Sequence, residues 1–408
     1  MSSTQPAPVK KTLFTEGFLQ DPYSTYQRFH AEGGIHYVDF GTGVWAVFNY
    51  SGCISVLKDV RLSAKRSGAL LLPLPDERRA EFAELEHMLG LWMLLIDAPE
   101  HTRLRKLINK GFSPAVMESL RPKIVAIVDR MLEPLRHASE ADLMHEIAHP
   151  LPVRVIAEML GIPSTMQAQL VQWSNAIATF FGSPQRTLEQ CQSVQQAILA
   201  LTEYFRGVVA KRRGQKGSDL ISLLLEIEAD GEVLTEEELY AQCVMLLFAG
   251  HETTRNLIGN GMYTLLENSE ELSKLREQPE MIRTAIEELL RYQSPVQYAS
   301  RVAKEEIEVC GIRLRQGDII TSMLGAANRD PQQFKDPDHL NLARLNNAHL
   351  AFGAGGHFCI GNQLARLEGQ VAILRMVQQF PRMRLTAQKP EWVPNFILRG
   401  LKALPVAV

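Results

Sequence analysis

The 408-residue sequence is 46% apolar, 22% charged and 7% aromatic, the make-up of a globular chain with ample material for a core, which excludes disordered and fibrous classes. Its 43 Lys and Arg against 46 Asp and Glu leave a formal charge of -3, so no global positive field exists for a nucleic-acid backbone and no nucleic-acid partner is expected. The longest apolar run, Met88 to Ile96, includes Gly90 and falls short of the roughly 20 residues of a membrane span.

The chain opens MSSTQPAPVKK, with no apolar signal-peptide core and with Pro6 and Pro8, so residues 1–12 read as a flexible tail and the protein as cytoplasmic. Five scattered cysteines without a C-x-x-C pair read as reduced thiols. Residues 35–50 alternate apolar and polar positions around Gly41 and Gly43, a hairpin pattern. Two apolar stretches, Gly68 to Leu74 and Met88 to Ile96, are too short and broken for core helices. They read first as core packing and second as the lining of an apolar cavity.

Long helical patterns follow at Pro122–Leu135, Met166–Phe181, Leu188–Arg213 and Glu236–Leu266. A strand-rich patch spans Ile307–Leu324, a helix is expected over Gln363–Phe380, and the tail from Val393 looks extended. No Pro/Gly/Ser-rich linker divides the chain, so residues 13–408 read as a single domain, mainly α with a minor β-sheet.

Two local patterns carry chemistry. In the long pattern that starts with the Thr235–Glu238 capping box sits AGHETT, where Gly250 weakens the helix and the Thr253 hydroxyl can bond back to the carbonyl of Ala249. Further on, FGAGGHFCIG surrounds Cys359 with glycines just ahead of a helix start, whose free N–H groups and positive dipole end favour a thiolate.

The order Phe352-Gly353-x-Gly-x-His357-x-Cys359-x-Gly, followed by Leu364, Ala365 and Arg366, resembles the haem-ligand loop of the cytochrome P450 superfamily. AGHETT resembles that family's oxygen-binding motif, and Glu288 and Arg291, three apart in IRTAIEELLRYQSP, its Glu-x-x-Arg pair. The closest likeness is to soluble bacterial members acting on fatty acyl, polyketide or macrolide substrates. The resemblance implies a triangular helical prism, with haem b between the interrupted long helix and the helix after the cysteine loop.

By position, the resemblance makes Cys359 the axial thiolate and iron ligand, and sets Phe352 and Gly353 in the cofactor loop. His101, Arg105, Arg301 and His357 are expected at the haem propionates, and Arg344 as the third member of the Glu288–Arg291 cluster. Ala249 and Gly250 would form the dioxygen groove, with Thr253 the hydroxyl beside activated dioxygen and Glu252 the proton relay. His251, between them, reads as a structural or rim residue and not as a metal ligand.

The pocket is expected around Leu70–Ile96, Ala176–Gly182, Val244–Phe248, Val296–Ser300 and Asn395–Leu398. The activity implied is a monooxygenase inserting oxygen into a C–H bond (hydroxylation or epoxidation) of a lipophilic substrate, free or carrier-protein-bound, in bacterial secondary metabolism. A peroxygenase, a non-oxygenating haem enzyme and a haem sensor are the alternatives. Electrons would come from a ferredoxin or flavodoxin with its reductase. Arg103, Arg105, Lys106, Lys110 and Arg366 are candidates for the basic face that receives it.

Overall fold

Helix boundaries follow the capping chemistry of the sequence. The computed structural model describes residues 9–15, 17–40, 42–71, 74–183, 186–215, 217–229, 234–386 and 389–408. Its principal helices are α1 (Glu100–Asn109), α2 (Pro114–Leu132), α3 (Pro150–Leu160), α4 (Gln167–Gly182), α5 (Leu188–Arg212), α6 (Glu236–Glu267), α7 (Ile282–Tyr292) and α8 (Asn362–Gln379). In α6 the Thr235 hydroxyl accepts from Glu238 N at 3.2 Å while the Glu238 carboxylate accepts from Thr235 N at 2.9 Å, the reciprocal box expected. Thr187 and Gln190 form the same device at the head of α5.

α2 begins eight residues before the expected Pro122. Ser113 caps it with Pro114 in the first turn, and the exposed Pro122 is carried inside the helix. The AGHETT segment stays α-helical throughout. The expected local weakness takes the form of a side-chain bond, Thr253 Oγ1 donating to the Ala249 carbonyl at 2.7 Å.

Helix α6 is the axis of the molecule, packed against α3, α4, α5, α7 and α8, with the largest apolar core around it. Beside this helical body lies a sheet of β1 (Lys11–Thr12), β2 (Ile35–Phe40), β3 (Thr42–Val47), β4 (Leu62–Ser63), β5 (Ala299–Ala303) and β6 (Ile319–Ser322). Its order among the described residues is β1-β2-β3-β6-β5-β4. The β2–β3 hairpin pairs Tyr37 with Trp45, and β3 runs parallel to β6 with Trp45 opposite Ile320. Of the expected tail, residues 1–8 lie outside the described residues, and Lys11–Thr12 pairs in parallel with Val38–Asp39. Among the described residues no helix is long and apolar enough to cross a membrane.

The Glu288–Arg291 pair is buried on both sides at 2.8 Å. Arg344 Nε donates to Glu288 Oε2 at 3.0 Å, as do Asn347 Nδ2 at 3.0 Å and, to Oε1, the Asn341 amide at 3.0 Å. Arg291 directs its remaining donors to the carbonyls of Asn328, Pro337 and His339. Removing one partner would leave the other charged, buried and unmatched, so Glu288→Gln should cost about 3–5 kcal/mol. Arg344→Ala, at the partly exposed edge, should cost less. Denaturant unfolding of the two variants checks the order.

Candidate active site

Between α6 and the loop ahead of α8 lies a cavity of about 1380 Å³ including its mouth. One wall is α6, with Ala249, Gly250 and Thr253. The facing wall is the cysteine loop, with Phe352, Gly353, His357 and Cys359. The structure therefore brings together the two motifs that stand more than a hundred residues apart in sequence.

The cysteine loop is held by its own backbone: Cys359 N donates to the Phe352 carbonyl at 2.9 Å and Asn362 Nδ2 to the Cys359 carbonyl at 2.7 Å. Gly353 and Gly355 both have φ +70°, where a side chain is strained, and a Cβ on Gly355 would stand 2.8 Å from the Leu57 carbonyl. Arg366 lies over the Phe352 ring at 4.5 Å and grips Glu287 at 2.6 and 2.8 Å. It is thus engaged internally, and its guanidinium is not a free member of the expected basic face. Arg103 pairs with Glu238, and Arg105 turns inward to the Phe358 carbonyl at 2.6 Å.

Burial pushes the Cys359 thiol up, against the Gly361 amide and the charges of Arg105 and Arg366, which pull it down. The loop alone thus does not deliver the thiolate expected from the glycines and helix start, because desolvation outweighs those donors. A bound cation would, since a coordinating thiol is deprotonated outright.

At one end of the cavity the rings of His101 and His357 lie 4.1 Å apart, with Arg301 nearby. Burial lowers the His357 pKa to about 3, helped by His101, Arg301 and Arg66. Arg66, which the sequence gave no reason to single out, is lowered to about 10 by burial and by Arg301. The carboxylate in this cluster is Asp97, which accepts from Ser63 Oγ at 2.5 Å and Ala64 N at 2.8 Å. Arg66, Arg105 and Arg301 against Asp97 leave two positive charges unmatched, a cradle for a ligand with two carboxylates.

The remaining expected site residue is not on the cavity wall. Glu252 is buried on the far side of α6, its Oε2 held by Arg255 Nη1 at 3.0 Å and its Oε1 3.5 Å from His251 Nδ1. The three-residue spacing to Arg255 was the signal for this orientation. Burial lowers the pKa of His251 to about 3 and of His149, whose ring stands perpendicular to it at 4.9 Å, to about 4.

Of the expected pocket stretches, Met93, Leu94, Met245, Leu246, Val296 and Ala299 line the cavity, so the 88–96 segment serves both core and lining. Residues 176–182 and 395–398 are not on its wall. Asn395 Nδ2 is tied to the Ala178 carbonyl at 3.1 Å. Phe181 stacks with Phe248 at 5.4 Å and with Trp92 at 5.8 Å, and these rings pack behind the wall.

The family model for cytochrome P450 matches residues 152–395. A biotin biosynthesis cytochrome P450 of Bacillus subtilis is 37% identical over 393 residues, covering 95% of this chain and 96% of that protein. The chain is a cytochrome P450. The monooxygenase PikC of Streptomyces venezuelae is 39% identical over 401 residues, covering 96% of this chain and 92% of its own. Among solved structures, P450BioI in complex with hexadec-9Z-enoic acid ligated acyl carrier protein superposes with a TM-score of 0.90 at 37% identity, covering 97% of this chain and 100% of that one. This P450 is an oxidoreductase of the monooxygenase class, mainly helical as expected, and the family implies haem with cysteine thiolate ligation. The residues present fit that group: a cysteine that needs a cation to ionise, and two surplus positive charges for two propionates.

Sequence reasoning also missed Glu368 of α8, which lines the cavity yet is buried, with Oε2 lacking a hydrogen-bond partner. Desolvation raises its pKa well above the ordinary 4.5. The folded chain therefore keeps a proton that the unfolded chain releases above that pH, and folding loses stability as pH rises. Glu368→Gln should stabilise the protein at pH 8 and leave it unchanged near pH 4, which thermal melts at the two pH values check.

Proposed function

We propose that residues 13–408 work as one haem-thiolate domain that inserts one oxygen atom of dioxygen into a C–H bond of a fatty acyl, polyketide or macrolide chain. The observation that carries this reading is the placement of Cys359 on one wall of the apolar cavity and Ala249, Gly250 and Thr253 on the opposite wall. Relatives in biotin and polyketide biosynthesis support the substrate class, and the neighbour solved with acyl carrier protein supports a carrier-borne chain. Electrons come from a ferredoxin or flavodoxin with its reductase, in the cytoplasm.

Bound haem b supplies dioxygen activation, with thiolate donation favouring O–O cleavage. Cys359 would ligate its iron through the thiolate, in a loop framed by Phe352 and Gly353. His101, Arg105, Arg301, His357 and Arg66 hold its carboxylates. Thr253 presents a hydroxyl to the cavity and rests it on the Ala249 carbonyl, so rotation about one bond would turn that proton into the cavity. Glu252, ion-paired with Arg255 behind the helix, would have to leave that partner to relay protons from solvent to the hydroxyl. The apolar residues Met93, Leu94, Val296 and Ala299 exclude water and bind substrate by burial.

Reduced protein under carbon monoxide should show a strongly red-shifted Soret band that Cys359→His abolishes; an unchanged band in the variant would remove Cys359 as ligand. Thr253→Ala should uncouple NAD(P)H use from product by a factor of about 10 or more, as loss of a positioned proton donor costs ~10²–10⁴. Coupling that stays intact would point to a peroxide-driven or non-oxygenating enzyme.

A further inference from the structure

Behind α6, on the side turned away from the cavity, three ligand-bearing side chains converge. His149, at the head of α3, and His251 and Glu252 of α6 offer donor atoms that all lie within 4.8 Å of one another. Among the described residues no other group of three His, Cys, Asp or Glu side chains does so. We propose that His149, His251 and Glu252 form a second metal site on this protein, for a zinc ion or a similar borderline divalent cation.

Hydrogen bonding around the cluster assigns which atoms are available. His251 Nδ1 stands 2.9 Å from Ser174 Oγ and 3.5 Å from Glu252 Oε1. Its Nε2 makes no well-formed hydrogen bond although the ring is fully buried with the His149 carbonyl close to it. Glu252 gives Oε2 to Arg255 at 3.0 Å, and Arg255 is in turn held by the Leu401 carbonyl at 3.3 Å. Glu252 Oε1 has no hydrogen bond although the residue is 5% exposed. An unmet buried polar atom costs about 1–3 kcal/mol. Two on adjacent residues, one an imidazole nitrogen and the other a carboxylate oxygen, are the complement of a cation and not of another carboxylate or an apolar group.

Each inner ligand thus already carries an outer contact of the kind that orients ligands in metal sites: a hydroxyl beside imidazole Nδ1 and a guanidinium on the second carboxylate oxygen. Two nitrogens and one oxygen suit zinc and its neighbours in preference to magnesium or calcium. Bonds of ~2.0–2.1 Å would draw the donors to about 3.4 Å apart, a contraction that rotation of the half-buried His149 ring can supply. That ring also provides the approach from solvent. Arg255 opposes a second positive charge, which argues for an exchangeable site and not a structural one.

Such a site would run against the sequence expectation that His251 is a structural or rim residue and not a metal ligand. It also has a consequence for turnover that rests on the reading of Glu252 as proton supply: a metal on Oε1 would pin that carboxylate behind the helix. Binding itself does not depend on that reading.

The test titrates EDTA-treated holoenzyme with ZnCl2 by calorimetry, beside His149→Ala and His251→Gln, with MgCl2 as the control cation. One zinc per chain, weakened at least tenfold by His149→Ala and by His251→Gln, with no magnesium binding, is expected. The half-exposed His149→Ala decides alone if His251→Gln does not fold. No zinc binding, or binding that His149→Ala leaves unchanged, overturns the site. In a turnover assay zinc should slow the wild type and spare His149→Ala. Site-specific binding without slowing would keep the site and refute the relay role of Glu252.

Discussion

Glu288 carries a full charge with no exposure to solvent, and the molecule is arranged so that this charge is never alone. Two arginines, an asparagine and a backbone amide converge on it from α7 and from the irregular chain between 328 and 347. Arg291 then passes the constraint on through the carbonyl of Asn328, whose side chain accepts the Leu350 amide at 2.6 Å, two residues before the cysteine loop begins. A segment almost without regular secondary structure is thereby fixed by ionic and polar bonds instead of by a ladder. Burying those charges is expensive unless every partner is in place, which makes the arrangement all-or-none. The site on the far side of that segment inherits its rigidity.

The second constraint is an excess of positive charge. Arg66 and Arg301 sit close to each other and to Asp97, Arg105 stands beside His101, and burial depresses the His101 and His357 imidazoles among them. Such a cluster is uncomfortable without its counter-charge, and so is a thiol that desolvation keeps protonated. Both discomforts are relieved by one dianionic, metal-containing group. Cofactor binding and folding should therefore be strongly coupled here.

Much of this was legible in the sequence because the signals were local. Capping boxes give helix starts, the Glu-x-x-Arg spacing gives the buried pair, and ten residues around Cys359 carry the ligand loop. What could not be read was burial. Nothing in the stretch around Arg66 distinguishes a cation in a cofactor cradle from one in water, and Glu368 looks like any helical glutamate until its surroundings are known. The direction in which Glu252 points was available in principle from Arg255 three residues on, but AGHETT drew attention to the cavity side. Residues 395–398 were placed at the pocket by position alone, whereas the Asn395 amide is spent on the end of α4.

The rings of Trp92, Phe181 and Phe248 stand behind the cavity wall, and the indole N–H makes no hydrogen bond. They come from three separate segments and are joined only by contact between faces. Nothing directional fixes their spacing, so the position of the wall they back, the roof of the cavity, is a matter of ring volume. Evolution can raise or lower that roof by exchanging one aromatic residue for a smaller one, without disturbing a polar contact or touching the chemistry below. Cavity volume and catalytic machinery are in this way mechanically independent: the one can change while the cysteine loop and the Thr253 turn of α6 stay as they are.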